Sequence, residues 1–488
     1  MYKIASLKKN VILTTFYEIL KIITPFLTAP YLSRVLGIEG IGINSYTCSI
    51  QAYFCMLAAL GTGTYGSREI ARVRDDQLKT SETFWEIEFQ LIITTTIMLC
   101  AWGFFILNVT KYKIYFTVLS LGILGTMFDI SWFFSGIEQY KHIVRKNTLV
   151  KILEIVMIFT FVKKPEHLLY FIIINTFSMF FGNISMWIDL PKYLVKVKFK
   201  NLRIFRHIKY TLIYFLPTIA SSIYLIFDKT LIGLITQDEK EIGYYEQANK
   251  VITLLKSLTF ASITSVMNSR VSYLFKQEKF DEIKTNIEIT LNFIMLIGLG
   301  CCFGIIGIAD NFVPIFFGEG YDKVSFLIKL SSPLVVIVGI SCCLGATYYR
   351  PIGYIKRTLL FVSSGALINL VLNIILIPKY KSVGAIIGSV IAESVISYLY
   401  VKFSNGFLTF KQIFFSIWKK IIAGLIMMIS VTFIGKIDFN YIIRLFVQVA
   451  SGIIIYSSCL FIERDKYFKL FCNMIFSKLK KITQFKNQ

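Results

Sequence analysis

The sequence predicts an all-α protein that crosses a membrane about 14 times, because a helix needs roughly 20 mostly apolar residues to span hydrocarbon. Apolar stretches of about that length follow one another through nearly all 488 residues. The composition agrees, with 55% hydrophobic and only 17% charged residues, whereas soluble domains carry about 25% charged residues. Stretches such as Leu91–Leu107, Leu168–Ile188 and Ile421–Gly435 have no charged side chain. The chain therefore reads as a polytopic membrane protein.

The predicted spans are separated by short charged loops. In chain order they are 11–30, 42–62, 88–108, 114–136, 147–163, 167–188, 210–236, 248–269, 287–308, 324–347, 357–377, 382–403, 416–435 and 443–462. The first follows a basic start but has no small-residue cleavage site, so we interpret it as a retained helix rather than a signal peptide. Loops as short as 111–113 and 378–381 leave no room for an extracellular domain.

The net charge of +23 is distributed unevenly along the chain. If the N-terminus is cytoplasmic, most Lys and Arg fall on the inner side, which is the usual positive-inside pattern. The most basic segments are the connector 189–209 and the tail from Arg464 to Lys481. This distribution predicts that both termini are cytoplasmic. It explains the charge by membrane topology and argues against nucleic-acid binding.

Metal and disulfide chemistry are not indicated. The nine cysteines lie mostly within predicted spans and form no disulfide framework. His142, His167 and His207 belong to no metal-binding motif. We therefore predict no metal site and no bound cofactor.

The basic connector divides the chain into two halves that echo each other. Each half has a proline in its first helix, an ionic residue near the outer end, a glycine, a short loop, and a glycine that opens the next helix. The prediction is an N-terminal lobe of six spans (1–188), the connector (189–209), a C-terminal lobe of six spans (210–403), two further spans (404–462) and a basic tail (463–488). A repeat of this kind places a site between two lobes in many transporters.

Several ordered stretches resemble the Wzx-type polysaccharide flippases, which form the polysaccharide transport branch of the MOP exporter superfamily. The matching stretches are Pro25–Gly42, Tyr65–Ala71, Asp129–Glu138, Asp228–Gly233 with Gly243–Ala248, Phe312–Tyr321 and Asn369–Pro378. They are spread over most of the chain. The last two spans and the tail match no motif.

The resemblance implies a MATE-like fold and a function. Such flippases move undecaprenyl-diphosphate-linked oligosaccharide repeat units from the cytoplasmic to the outer leaflet by alternating access. It also implies a bacterial inner-membrane location, a role in O-antigen or capsule synthesis, coupling to H⁺ or Na⁺, and a polysaccharide polymerase and chain-length regulator as partners. An enzymatic activity is not expected.

Cations within spans are the first candidates for binding the diphosphate, because a charge at the bilayer centre costs about 2.5 to 3.5 kcal/mol. Lys21 lies near the middle of span one and Lys256 well inside span eight. In the resembled fold, spans one and eight line the cavity, and the lipid II flippase holds the diphosphate with cations on them. Pairing of Lys21 with Glu18, and snorkelling of Lys256, are the structural alternatives. Further cations near span ends complete the predicted substrate site: Lys250, Arg34, Arg68, Lys229 and Arg270.

Carboxyl groups within spans are candidates for ion coupling, because a desolvated carboxyl binds a proton more tightly and can load and release it. Glu393 lies near the middle of span twelve and Glu154 within span five. Asp228 and Glu18 complete this set. Pro25 and Pro217 remove backbone donors in the first helix of each lobe and are predicted hinges.

Two rival functions predict different features. A drug or cation extruder of the same superfamily would need an anionic cavity, whereas spans one and eight offer more lysine than carboxylate. A membrane polysaccharide polymerase or ligase, the rival of a different class, generally carries a large outer loop, and no predicted loop is long enough.

Overall fold

The computed structural model describes residues 7–438 and 440–473. For residues 7–14, 16–19, 21–23, 201, 216–218, 220–225, 261–270 and 272 within these ranges it describes the backbone alone. The described residues form helices joined by turns and loops, with no strand among them. The predicted all-α class is confirmed.

The chain forms two compact units, Met1–Gly243 and Tyr244–Gln488. The predicted division at the connector 189–209 stays a prediction.

Eight helices make up most of the first unit, and a ninth begins in it. They are α1 Leu7–Ala59, α2 Thr62–Val73, α3 Gln77–Asn108, α4 Lys113–Met127, α5 Ser131–Gly136, α6 Tyr140–Phe161, α7 Leu168–Trp187, α8 Ile208–Thr236 and α9 Glu239–Lys276. Short 3₁₀ turns at 165–167, 190–192, 199–201 and 204–207 complete the connections.

The second unit contains the rest of α9 and seven further helices. They are α10 Phe280–Phe317, α11 Asp322–Ser331, α12 Pro333–Leu344, α13 Ile355–Tyr380, α14 Ser382–Lys402, α15 Phe410–Ile434 and α16 Tyr441–Ile462. A π-helical turn, 345–349, follows α12.

The prediction of a loop between spans one and two is wrong. Residues 31–41 are helical, and the only non-helical backbone inside α1 is at Gly37, with φ 69° and ψ 176°. Glycine reaches this conformation without steric cost because it lacks a Cβ atom. The two spans therefore meet at a one-residue break.

Predicted spans four and ten are also subdivided. Span four corresponds to α4 and α5, which are separated by the non-helical residues 128–130. Span ten corresponds to α11 and α12, which meet at Ser332 and Pro333. Proline is favoured at the first helical position because its missing N–H would have no partner there.

The helices have the length and composition of membrane spans. Among the described residues, nine helical segments are long and apolar enough to cross a bilayer. Large apolar side chains point outward from them, as at Leu107, Phe446 and Phe461, which are 74–76% exposed. In water such surfaces would be costly to expose, whereas lipid solvates them. The protein is a multi-pass membrane protein.

Candidate functional site

Three charged residues of the second unit act electrostatically on one thiol. Lys256 of α9, Glu393 of α14 and Arg350, just after the π-helical turn, all lie close enough to Cys342 of α12 for their charges to act on it. Arg350 and Glu393 also act on the hydroxyl of Tyr400. Lys256 and Glu393 are both half-buried. The structure thus brings a predicted phosphate ligand and a predicted ion-coupling carboxyl to the same region.

Lys250 lies nearer the start of α9 and faces a carboxylate on its own helix. Its Nζ is 3.9 Å from Oε1 of Glu246, one turn earlier. At that distance the pair is weak, because an exposed or partly exposed ion pair contributes about 1 kcal/mol or less. This pair by itself therefore contributes little to holding Lys250 in place.

An apolar groove of about 410 Å³ runs between α10, α15 and α16 in the second unit. Gly300, Gly304 and Gly452 line it without side chains, and Met427 and Ile453 contribute apolar surface. The hydroxyl of Tyr456 is turned away to the carbonyl of Leu296, at 2.9 Å. The groove thus suits a hydrocarbon chain rather than a polar ligand.

Asp228 and Lys229 lie on α8 in the first unit. Asp228 is 3% exposed, and both charges act on Tyr53 of α1. The next residue, Thr230, donates to Ser49 at 2.9 Å and lies 3.1 Å from the Tyr53 hydroxyl. This predicted pair therefore lies beside a polar contact between α8 and the second half of α1.

The carboxylate of Glu154, which was predicted for ion coupling, already has two hydrogen-bond donors. It is 7% exposed and accepts hydrogen bonds from Lys151 at 2.6 Å and from Ser178 of α7 at 2.7 Å. The carboxylate thus has one partner on its own helix and one on the neighbouring helix. These contacts favour a role in joining α6 to α7.

Arg34 and Arg68, which lie near span ends, are both exposed. Arg34 donates to the carbonyl of Pro30 at 3.2 Å. Arg68 donates to the hydroxyl of Tyr214 and lies 5.8 Å above that ring. Both positions leave much of the guanidinium accessible to a ligand.

Four predicted residues fall where only the backbone is described: Lys21, Glu18, Pro217 and Arg270. Their side-chain roles stay predictions. The helices continue through Pro217 of α8 and through Pro25 of α1, and the break in α1 lies at Gly37. The hinge roles of the two prolines also stay predictions.

A polar cluster joins the α3–α4 loop to the start of α9. Glu239 accepts hydrogen bonds from Lys111 and from the hydroxyl of Tyr112. Partial burial raises the pKa of Glu239, but these hydrogen bonds outweigh burial and leave its pKa below the ordinary value. The hydrogen bond with Glu239 in turn raises the pKa of Lys111. A second ion pair, Lys240 with Glu39 at 3.2 Å, lies beside it.

A second polar cluster lies at the start of α8. His207 is 2% exposed, with Nδ1 2.6 Å from the Tyr65 hydroxyl and Nε2 2.9 Å from the Glu86 carboxylate. Arg206 pairs with the same carboxylate at 2.6 Å. Burial lowers the pKa of His207 despite its hydrogen bond with Glu86. These contacts join α8 to α2 and α3.

Sequence reasoning missed two charged residues that the structure singles out. Arg350 lies three residues after predicted span ten, outside any predicted span, and its charge acts on the same thiol as that of Glu393. Glu88 is the first residue of predicted span three, yet its side chain is fully buried. In the structure its helix begins eleven residues earlier, at Gln77, so Glu88 lies inside the helix and not at its start.

The sequence profile of the family described as "Polysaccharide biosynthesis protein" matches residues 7–268, more than half of the chain. The chain belongs to this family. The match covers α1 to α8 and most of α9. It therefore includes Gly42 and Gly243, the corresponding glycines of the two similar halves of the sequence.

Relatives of the chain carry names that describe glycan transport. The chain is 25% identical over 272 residues to an Escherichia coli protein named "Putative O-antigen transporter", a match over 55% of this chain and 65% of that protein. It is 24% identical over 270 residues to the Haloferax volcanii protein "Probable low-salt glycan biosynthesis flippase Agl15", over 54% of this chain and 55% of that one. The match thus spans less than two thirds of each relative.

The fold is similar to that of the lipid II flippase MurJ in an inward closed conformation. The TM-score is 0.73 at 19% identity, and the alignment covers 93% of this chain and 99% of that one. The MOP-type architecture is confirmed.

Proposed function

We propose that this protein is a flippase that moves undecaprenyl-diphosphate-linked oligosaccharide repeat units from the cytoplasmic to the outer leaflet of the bacterial inner membrane. Family membership and the names of the relatives support a transporter of lipid-linked glycans rather than an enzyme. The observation that carries the proposal is the pairing, in one unit, of half-buried cationic charge with an open apolar groove.

The substrate has three chemically different parts, and the structure offers surfaces for two of them. A diphosphate needs compact positive charge in a region of low dielectric constant, where charges attract more strongly than in water. Lys256 supplies such a charge, with Arg350 and Lys250 as further cations. The isoprenoid tail would follow the groove between α10, α15 and α16 or remain in lipid.

Release requires that the cations have another partner once the substrate leaves. Glu393 acts on the same thiol as Lys256 and Arg350 and would neutralise them in the empty transporter. Binding of the diphosphate would displace that carboxylate from the cations. Protonation of Glu393 would favour the bound diphosphate, and its ionisation would favour release. Alternating access then exposes the headgroup on the outer side, where polymerase and chain-length regulator act as partners.

The test is complementation of a strain that lacks its own repeat-unit flippase. The wild-type gene should restore surface glycan. Lys256→Ala should abolish it with normal amounts of protein in the membrane, and Lys256→Arg should restore part of it. Lys284→Ala, at an exposed lysine of α10, is the matched control.

Two outcomes would contradict the proposal. Unchanged surface glycan with Lys256→Ala would remove this lysine from the mechanism. Failure of the wild-type protein to move a lipid-linked oligosaccharide in proteoliposomes, together with drug resistance in cells, would favour the extruder instead. Formation of polymer by the purified protein would favour a polymerase.

A further inference from the structure

Glu88 is a carboxyl group buried without a partner inside a membrane-spanning helix. It lies on α3, its exposed fraction is 0%, and neither carboxylate oxygen has a hydrogen-bond partner among the described residues. An unpaired carboxylate in an apolar environment is very costly, so such a group is expected to be neutral. At this position the neutral form is the protonated acid.

Two other buried polar atoms without partners lie on the same side of α3. Thr95 follows Glu88 by two helical turns, and its hydroxyl is unpaired. Phe84, one turn before Glu88, stacks on Trp132 of α5 at 5.4 Å, and the Trp132 indole N–H is also unpaired. Native proteins leave few such atoms unsatisfied, so several along one helix face call for a functional explanation.

The position of Trp132 is fixed by close packing. A Cβ atom on Gly66 of α2 would lie 2.6 Å from the Trp132 ring, so only glycine allows this approach. Trp132 belongs to the stretch Asp129–Glu138, one of the stretches that carry the family resemblance. The proposed transport mechanism gives this stretch no other role.

Asp129 offers a route for a proton to reach Glu88. It is half-buried, it lies in the non-helical segment between α4 and α5, and its charge acts on Glu88. Its Oδ1 accepts from the backbone N–H of Ser131 at 3.0 Å. A second negative charge on Glu88 would be repelled by Asp129, which again favours a bound proton.

Charged groups on two other elements packed against α3 have partners of their own. On the 3₁₀ turn before α8, Arg206 and His207 both contact Glu86, which is two residues from Glu88 and so points about 160° away from it. On α2, Glu69 pairs with Arg72. The stretch of α1 from 42 to 59 contains no Asp, Glu, Lys, Arg or His.

We propose that Glu88 is a proton-binding site that couples transport to the proton gradient, with Asp129 as its exchange partner. The inference rests on the proposed flippase function. The proton enters from water at Asp129, is held on a Glu88 oxygen, and returns to water when the helices around Trp132 separate. No other group changes its bonding.

The test uses the full chain in proteoliposomes that contain an undecaprenyl-diphosphate-linked oligosaccharide and a pH-sensitive dye. In the wild type, a pH gradient should accelerate flipping, and protons should move in the direction opposite to the lipid headgroup. Glu88→Gln keeps the shape and the neutral state but cannot exchange a proton. It should lose the response to the gradient while flipping without a gradient continues. Glu154→Gln, at a carboxylate with two partners, is the matched control and should keep the response.

Infrared spectroscopy gives an independent readout that does not need transport. The wild type should show a protonated carboxyl band at neutral pH that is absent in Glu88→Gln and present in Glu154→Gln. Absence of the band in the wild type, or a full gradient response in Glu88→Gln, would overturn the proposal. So would a response to a Na⁺ gradient that depends on Glu88. Failure of the wild type to flip at all would instead refute the proposed function.

Discussion

Gly42 and Gly243 make a reciprocal contact in which each glycine lies against the helical turn before the other. A Cβ atom on Gly42 would lie 1.8 Å from the carbonyl oxygen of Glu239, four residues before Gly243. A Cβ atom on Gly243 would lie 2.3 Å from the carbonyl oxygen of Ile38, four residues before Gly42. Gly42 and Gly243 occupy corresponding positions in the two similar halves of the sequence, and in the structure they lie in contact. The symmetry of this contact agrees with a duplicated sequence pattern.

Alanine at either glycine should disrupt this contact. Gly42→Ala and Gly243→Ala should push α1 away from the start of α9, and we expect loss of surface glycan in complementation and a lower melting temperature in detergent. Gly63→Ala is the control, because no atom would lie within 4 Å of its Cβ. There alanine should be neutral or stabilise α2 by up to about 1 kcal/mol. Wild-type behaviour of Gly42→Ala would show that the contact opens easily.

The Lys111–Glu239 pair should be insensitive to pH near neutrality. Because the pKa of Glu239 is lowered, its contribution is present above the ordinary Glu range and is lost only as the pH falls through the lowered value. Because the pKa of Lys111 is raised, its contribution is lost only as the pH rises through that raised value. A double-mutant cycle with Lys111→Ala and Glu239→Gln should give a coupling of about 1 kcal/mol or less at neutral pH. A coupling that vanishes between pH values of about 6 and 8 would contradict the assignment.

Lys420 and Asp465 should be far more sensitive to mutation. Lys420 Nζ lies 3.0 Å from Asp465 and 3.0 Å from the side chain of Asn292, and the two charged side chains are only 2% and 7% exposed. Removal of one partner of a buried pair typically costs about 3 to 5 kcal/mol. Lys420→Met should therefore lower the thermal stability strongly, and Lys420→Met with Asp465→Asn should recover much of it. Lys411→Met, on the exposed part of the same helix, should have little effect.

His207 should make stability depend on pH in weak acid. Burial lowers its pKa in the folded protein, so below the ordinary His value of about 6.5 the unfolded chain binds a proton that the folded chain does not. Stability should therefore fall as the pH drops through that range and stop falling below the lowered pKa. Melting temperatures of His207→Gln should lack this slope, whatever their value at neutral pH. An equal slope in the variant would assign the pH dependence to another group.

Much of the fold follows from composition and hydropathy. Hydrocarbon cannot satisfy backbone polar groups, so long apolar stretches must form helices, and their order was readable without a structure. The interruptions within helices could not be predicted from hydropathy. Gly37 interrupts α1 without a loop, and residues 128–130 interrupt span four inside an apolar stretch. Hydropathy averages over a whole span and does not detect a change at one residue.

The candidate site was predictable only in part. Lys256 and Glu393 stand out because charges are rare within spans, but their proximity depends on how α9, α12 and α14 pack. Glu154 had the same sequence signal, and the structure places Lys151 and Ser178 on it. Glu88 had almost no signal, because its distance from the end of the span depended on where α3 begins.

By itself, the sequence determined that the helices lie in a lipid bilayer, that the protein is all-α, and which family it resembles. These properties depend on the amount and order of apolar and charged residues along the chain. Tertiary structure decided which buried charges have partners. Lys420 pairs with Asp465, forty-five residues away, whereas neither carboxylate oxygen of Glu88 has a hydrogen-bond partner among the described residues. The reason is physical: the energy of a buried charge depends on the atoms within a few ångströms, and only packing brings those atoms together.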